Sequence, residues 1–158
     1  AGMWAFKARD GIATAMHGMW GSFWIAWGLL HFLFALNVLA APTGAAPAIA
    51  LWFFVLAAIT IMGAFAAMAE NAGLSLVLYT LAAGSAIAAF GKLFANDVLL
   101  IIAGYFLVVS AFFAWWTASS MMFMSVGKKF MPIGMAPGAR KAPAVNIGRA
   151  ESGVKHGQ

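Results

Sequence analysis

The stretch His17-Gly18-Met19-Trp20-Gly21-Ser22-Phe23-Trp24 opens an apolar run that continues to Leu39, and its reading decides the fold of this chain. An apolar helix of about 20 residues is long enough to cross the hydrocarbon core of a bilayer. At its entrance Gly18, Gly21 and Ser22 recur at three- and four-residue spacing, so adjoining helix faces carry little bulk and a neighbouring backbone can approach. Trp20 and Trp24 share one face. Two readings are open. The pattern is an interfacial aromatic belt beside a small-residue packing face, or Trp20 narrows a pathway lined by the small and polar groups beside it.

Three further apolar runs decide the fold class. With the first they give spans of about 12–39, 48–69, 74–94 and 98–123, in a chain that is 65% hydrophobic and only 8% charged. A soluble core of this size could not hide so much apolar surface. The expected fold is an all-α integral membrane protein, a bundle of four complete transmembrane helices, with residues 1–126 as the transmembrane domain. Period-two alternation is absent, and the runs are too long for barrel strands. Pro42, Gly44 and Pro47 separate the first two spans, and Glu70-Asn71-Ala72-Gly73 and Asn96-Asp97 mark the later turns. Ala1 to Phe6 reads as the end of a membrane helix, so more chain is expected ahead of Ala1. No basic segment followed by an apolar core and cleavage site marks a signal peptide. Residues 127–158 are a basic tail rich in Gly, Pro and Ala, and Pro137 to Gln158 is expected to be flexible.

The net charge of +5 lies almost wholly at the two ends of the chain, which reads as a topology signal rather than a nucleic-acid surface. Lys7, Arg9 and the tail share one side with the Glu70 turn, and Lys92 alone lies on the other. The positive-inside rule therefore places both ends in the cytoplasm.

Little in the sequence suggests catalysis. Cysteine is absent, and all four acids, Asp10, Glu70, Asp97 and Glu151, fall in turns or ends. No carboxylate pair projects into the bundle, and no glycine loop with a following Lys could cradle phosphate. An enzyme is not expected. His17 and His31 lie 14 residues apart, nearly four turns, and so face the same way about 21 Å from each other. Two haems on such a helix would each need a second axial ligand, and the only other histidine is His156 in the tail. No metal or other cofactor is expected. His31 falls near the middle of its expected span and is a candidate proton relay, against the blander reading of a neutral histidine donating to a backbone carbonyl of a neighbouring helix. The polar groups within the spans are mild: Ser22, Asn37, Thr60, Ser75, Thr80, Ser85, Ser110 and Thr117. Weak donors between apolar constrictions suit a small solute that must bind and then leave. Gly84 and Ala88 form a small-xxx-small pair, so Gly84 is expected at a close helix contact.

A set of landmarks carries a resemblance. Gly11 leads nine residues later into Trp20-Gly21-Ser22-Phe23-Trp24; Gly91 closes the third span; Ala103-Gly104-Tyr105 and Lys129-Phe130-Met131-Pro132-Ile133-Gly134 follow in order. Over about Ala1 to Gly134 the chain resembles the acetate uptake transporter family, the succinate-acetate permeases and their relatives. The resemblance implies a six-span fold, a homo-hexamer, and in each protomer a pathway for small monocarboxylates, coupled in some members to protons or cations. It implies that Trp20 stands where the family has a tyrosine of the central apolar constriction, and that Leu81 is the leucine of that constriction. The third member, a phenylalanine of the family's first span, has no counterpart in these residues. Tryptophan for tyrosine also replaces a hydroxyl that donates and accepts with an N–H that only donates. The expected function is thus a permease or channel for acetate-sized monocarboxylates in a bacterial inner membrane, with Ser22 and Thr80 lining the pathway beside Trp20 and Leu81. Its partners are the lipid bilayer, the carboxylate and further copies of itself. The alternative is a non-transporting structural subunit of a larger membrane complex.

Overall fold

The computed structural model describes residues 1–127 and 130–134, and among these every regular element is a helix. A short α1 (Gly2–Lys7) precedes four long helices: α2 (Gly11–Ala35), α3 (Pro47–Ala67), α4 (Ala72–Leu93) and α5 (Asp97–Ser125). All four are long and apolar enough to cross a membrane. In hydrocarbon no water can satisfy backbone N–H and C=O groups, so an apolar segment that closes its own hydrogen bonds is the stable answer.

Short polar side chains start the helices. The carboxylate of Asp10 accepts from the Ala13 N–H at 2.8 Å, Asn71 Oδ1 from Leu74 N–H at 2.8 Å, and Asn96 Oδ1 from Leu99 N–H at 3.1 Å. Each satisfies one of the donors that a helix leaves open at its first turn. Pro47 occupies the first turn of α3, where its missing N–H is harmless. Left-handed residues end three helices. Arg9, Asn37 and Ala95 have φ of 59°, 56° and 49°, and after each the next N–H reaches back to the last turn: Asp10 to Ala5 O, Val38 to Leu33 O and Asn96 to Gly91 O. The Asn37 cap stops α2 at Ala35, short of the Leu39 expected from the apolar run. That shift corrects the position of His31, which sits one turn from the end of α2 rather than near its middle.

Packing is sequential. α3 packs along α4 and α4 along α5, while the backbone of α2 approaches only α1 and α3, so α2 and α5 do not close a ring. The interfaces are made of small residues. Thr60, Ala64 and Ala67 on α3 are fully buried, as are Ser85 and Ala89 on α4. Gly84 lies against Leu107 and Phe106, and Gly91 against Leu100. The Gly84 contact is the close crossing expected from the small-xxx-small pair, because side-chain bulk there would hold α5 away. Ser110 on α5 adds a hydrogen bond to the Val77 carbonyl at 2.9 Å.

Both bundle ends are tied. At one, Ala46 N–H donates to the Lys92 carbonyl at 2.9 Å, holding the loop before α3 onto the end of α4. At the other, the segment after α5 folds back. Ile133 and Gly134 carbonyls accept from Gly73 and Ala72 N–H at 3.0 and 3.3 Å, Pro132 O accepts from Trp116 Nε1–H at 3.0 Å, and Met131 O from the Ser120 hydroxyl. Residues 130–134 therefore act as a strap that caps α4 and binds α5, although composition alone groups them with the tail. Pro137 to Gln158 lies outside the described residues.

Candidate functional site

Of the residues singled out in the sequence, Trp20 lies in the seam between α2 and α3. The two helices run antiparallel, and three side chains of α2 meet α3 in succession. Met16 lies over Gly63, where its sulfur would stand 2.7 Å from a Cβ added to that glycine. Trp20 donates from Nε1–H to Thr60 Oγ1 at 3.0 Å. Phe23, only 3% exposed, sits edge-on to Trp52 and Phe53 at 4.9 and 5.5 Å between ring centroids. The spacing of four and three residues along α2 is that of one helix face, which is why the seam is continuous. An indole N–H in apolar surroundings needs an acceptor, and Thr60 supplies it.

Trp20 is half-buried, edge-on to Phe23 at 5.5 Å and tilted against Trp24 at 6.3 Å. Leu81, also half-buried, packs against the cluster of Ala64, Ala67 and Leu78, together with Met16. Ser22 is not brought to this place. Two residues beyond Trp20, it is exposed on another flank of α2, and its hydroxyl donates to the Met19 carbonyl at 2.8 Å. Thr80 is half-buried, with its hydroxyl directed to the carbonyls of Leu76 at 2.7 Å and Val77 at 3.1 Å.

His31 is exposed and donates from Nδ1–H to the Trp27 carbonyl of its own helix at 3.0 Å, rather than to a neighbouring helix. Its ring lies 4.3 Å from that of Trp27 and 5.7 Å from that of Phe34. His17 makes the same turn-back bond, to Ala13 O at 2.7 Å. No group of three or more His, Cys, Asp or Glu among the described residues is placed to hold a metal ion.

Electrostatics are concentrated at the bundle end that carries the turn between α3 and α4. Glu70, in that turn, is held above the ordinary carboxylate range, chiefly by partial desolvation of its carboxyl and further by the negative charge of Asp10. An open cleft of about 550 Å³ beside the α1–α2 turn is lined by Phe6, Lys7, Arg9, Asp10, Gly11 and Thr14, and it contains none of the seam residues.

Thr60 is the seam residue that the sequence left in a general list of in-span hydroxyls. The available signal was chemical. A tryptophan that can only donate, placed where a tyrosine could also accept, requires an acceptor on the helix it faces.

Four helices long and apolar enough to cross a membrane, packed through small residues, define an integral membrane protein. A model of the GPR1/FUN34/yaaH family matches residues 1–135, and the chain belongs to that family, the acetate uptake transporters. None of the curated proteins matches the chain. The family is associated with transport rather than catalysis, which favours a transporter over a structural subunit.

Proposed function

We propose that the protein is a permease for acetate-sized monocarboxylic acids, acting as a homo-oligomer in a bacterial inner membrane with both chain ends in the cytoplasm. The family match over residues 1–135 carries this reading. Trp20 and Leu81 form the apolar constriction. The solute passes it as the neutral, protonated acid. Transfer of a carboxylate into an apolar constriction would need donors to replace its water, yet the Trp20 Nε1–H is committed to Thr60 and the Thr80 hydroxyl to Leu76 O. The lone pairs of Thr80 can still accept the O–H of a protonated acid. His31 exchanges the proton through Nε2, since its Nδ1–H is held by the Trp27 carbonyl.

The test is uptake of labelled acetate into proteoliposomes at two pH values, against protein-free vesicles. Protein-dependent uptake that rises as pH falls toward the carboxylic-acid range of about 4–5 is expected. Trp20→Ala should raise the flux by removing a steric and dewetting barrier. Equal entry with and without protein refutes the permease reading.

A further inference from the structure

We propose that Thr60 is a positioning residue that fixes the orientation of the Trp20 indole and so sets the size of solute the constriction admits; the proposal rests on the permease reading above. Thr60 has no exposed surface, and its hydroxyl oxygen stands 3.0 Å from Trp20 Nε1. The bond joins two helices whose other contacts at this level are dispersion contacts, with Met16 over Gly63 on one side and Phe23 against Phe53 on the other. Those contacts fix where α2 lies, and helix sterics leave Trp20 chiefly χ1 near 180° or −60°, between which a directional partner can choose. The N–H to Thr60 bond selects one. It does so with fixed polarity, because the indole can only donate and the threonine oxygen must accept. Trp20 is half-buried, so the part of the ring not covered by α3 is free to define an edge of the pathway.

Serine keeps the acceptor; valine keeps the shape and removes it. In Thr60→Val the indole should populate alternative rotamers, with the selected one losing about five-fold in relative population, as the net worth of one hydrogen bond implies. The ratio of acetate to butyrate uptake should fall by a similar factor. Thr60→Ser should restore both.

Two readouts test this in the full-length protein in proteoliposomes. The first is the indole ¹⁵N–¹H resonance of Trp20, assigned by its loss in Trp20→Phe. It should shift in Thr60→Val and return in Thr60→Ser. The second is the acetate-to-butyrate uptake ratio of the same variants. A Trp20 resonance unmoved by Thr60→Val overturns the proposal, since no bond was then lost. A moved resonance with an unchanged ratio, in a protein that carries acetate, overturns the positioning role while leaving the permease reading intact. Wild-type protein that carries no acetate overturns the permease reading and this proposal with it.

Discussion

Gly84 sets how closely α4 and α5 cross, and adding side-chain bulk there should separate them by a calculable amount. A Cβ built on Gly84 would stand 3.0 Å from Leu107 Cδ2, 3.2 Å from Leu107 Cγ and 3.2 Å from Phe106 Cβ. The Leu107 branch can rotate away, but Phe106 Cβ is fixed to the α5 backbone, so α5 must retreat by a few tenths of an ångström. Overpacking of this kind costs about 1–3 kcal/mol, and alanine recovers about 1 kcal/mol of helix propensity over glycine. Gly84→Ala should therefore lower stability by about 0–2 kcal/mol, or up to about 8 °C in Tm at about 2–4 °C per kcal/mol for a chain of this size. Gly84→Leu adds three more carbons into volume that α5 already fills, and should abolish the crossing. Thermal unfolding in detergent, with size-exclusion chromatography for assembly, reads both. Leu107→Ala in the Gly84→Ala background should relieve only the Leu107 part of the crowding and leave the contact with Phe106 Cβ. Gly28→Ala, where no atom lies within 4 Å of the added carbon, is the control. A Gly84→Leu protein with wild-type Tm and assembly would refute the crossing.

A cysteine introduced at Thr43 in this cysteine-free chain should react with a membrane-impermeant label from the non-cytoplasmic side only, and labelling from the cytoplasm would reverse the proposed topology. Trp116→Phe removes the donor to Pro132 O and should lower stability by about 1 kcal/mol, and ending the chain after Gly127 should cost more because Ala72 and Gly73 N–H lose their acceptors; an unchanged Tm in the shortened chain would show that the strap holds nothing. Glu70 gives a pH dependence. Its folded-state pKa is raised, so the folded protein keeps a proton that the unfolded chain has released, and stability falls as pH rises from the ordinary glutamate value of about 4.3 through the raised one. Glu70→Gln should flatten that part of a Tm-against-pH curve and Asp10→Asn should weaken it, whereas a Glu70→Gln curve parallel to wild type would contradict the assignment.

The membrane class and the four helices were legible in the residues themselves. In a bilayer, an apolar run of sufficient length has one way to satisfy its own backbone, so composition and length decide the element with no help from neighbours. Several boundaries were equally local, since Asp10, Asn71, Asn96 and Pro47 act on donors within their own first turn. The end of α2 was less legible, because the residues after Ala35 stay apolar and only the left-handed Asn37 stops the helix. That displacement moved His31 toward the end of α2, and its hydrogen bond fell to its own helix.

What only the tertiary structure decided is which face meets which. Small residues lie along every helix of this chain, and their spacing permits a close approach without naming the partner. The Trp20–Thr60 bond joins residues 40 apart in sequence, and the strap joins Trp116 to Pro132 and Gly73 to Ile133. Each depends on the rotation and axial shift of one helix against another. In lipid those are set by side-chain packing and by the need of each buried polar group for a partner, because apolar attraction between helices is nearly absent.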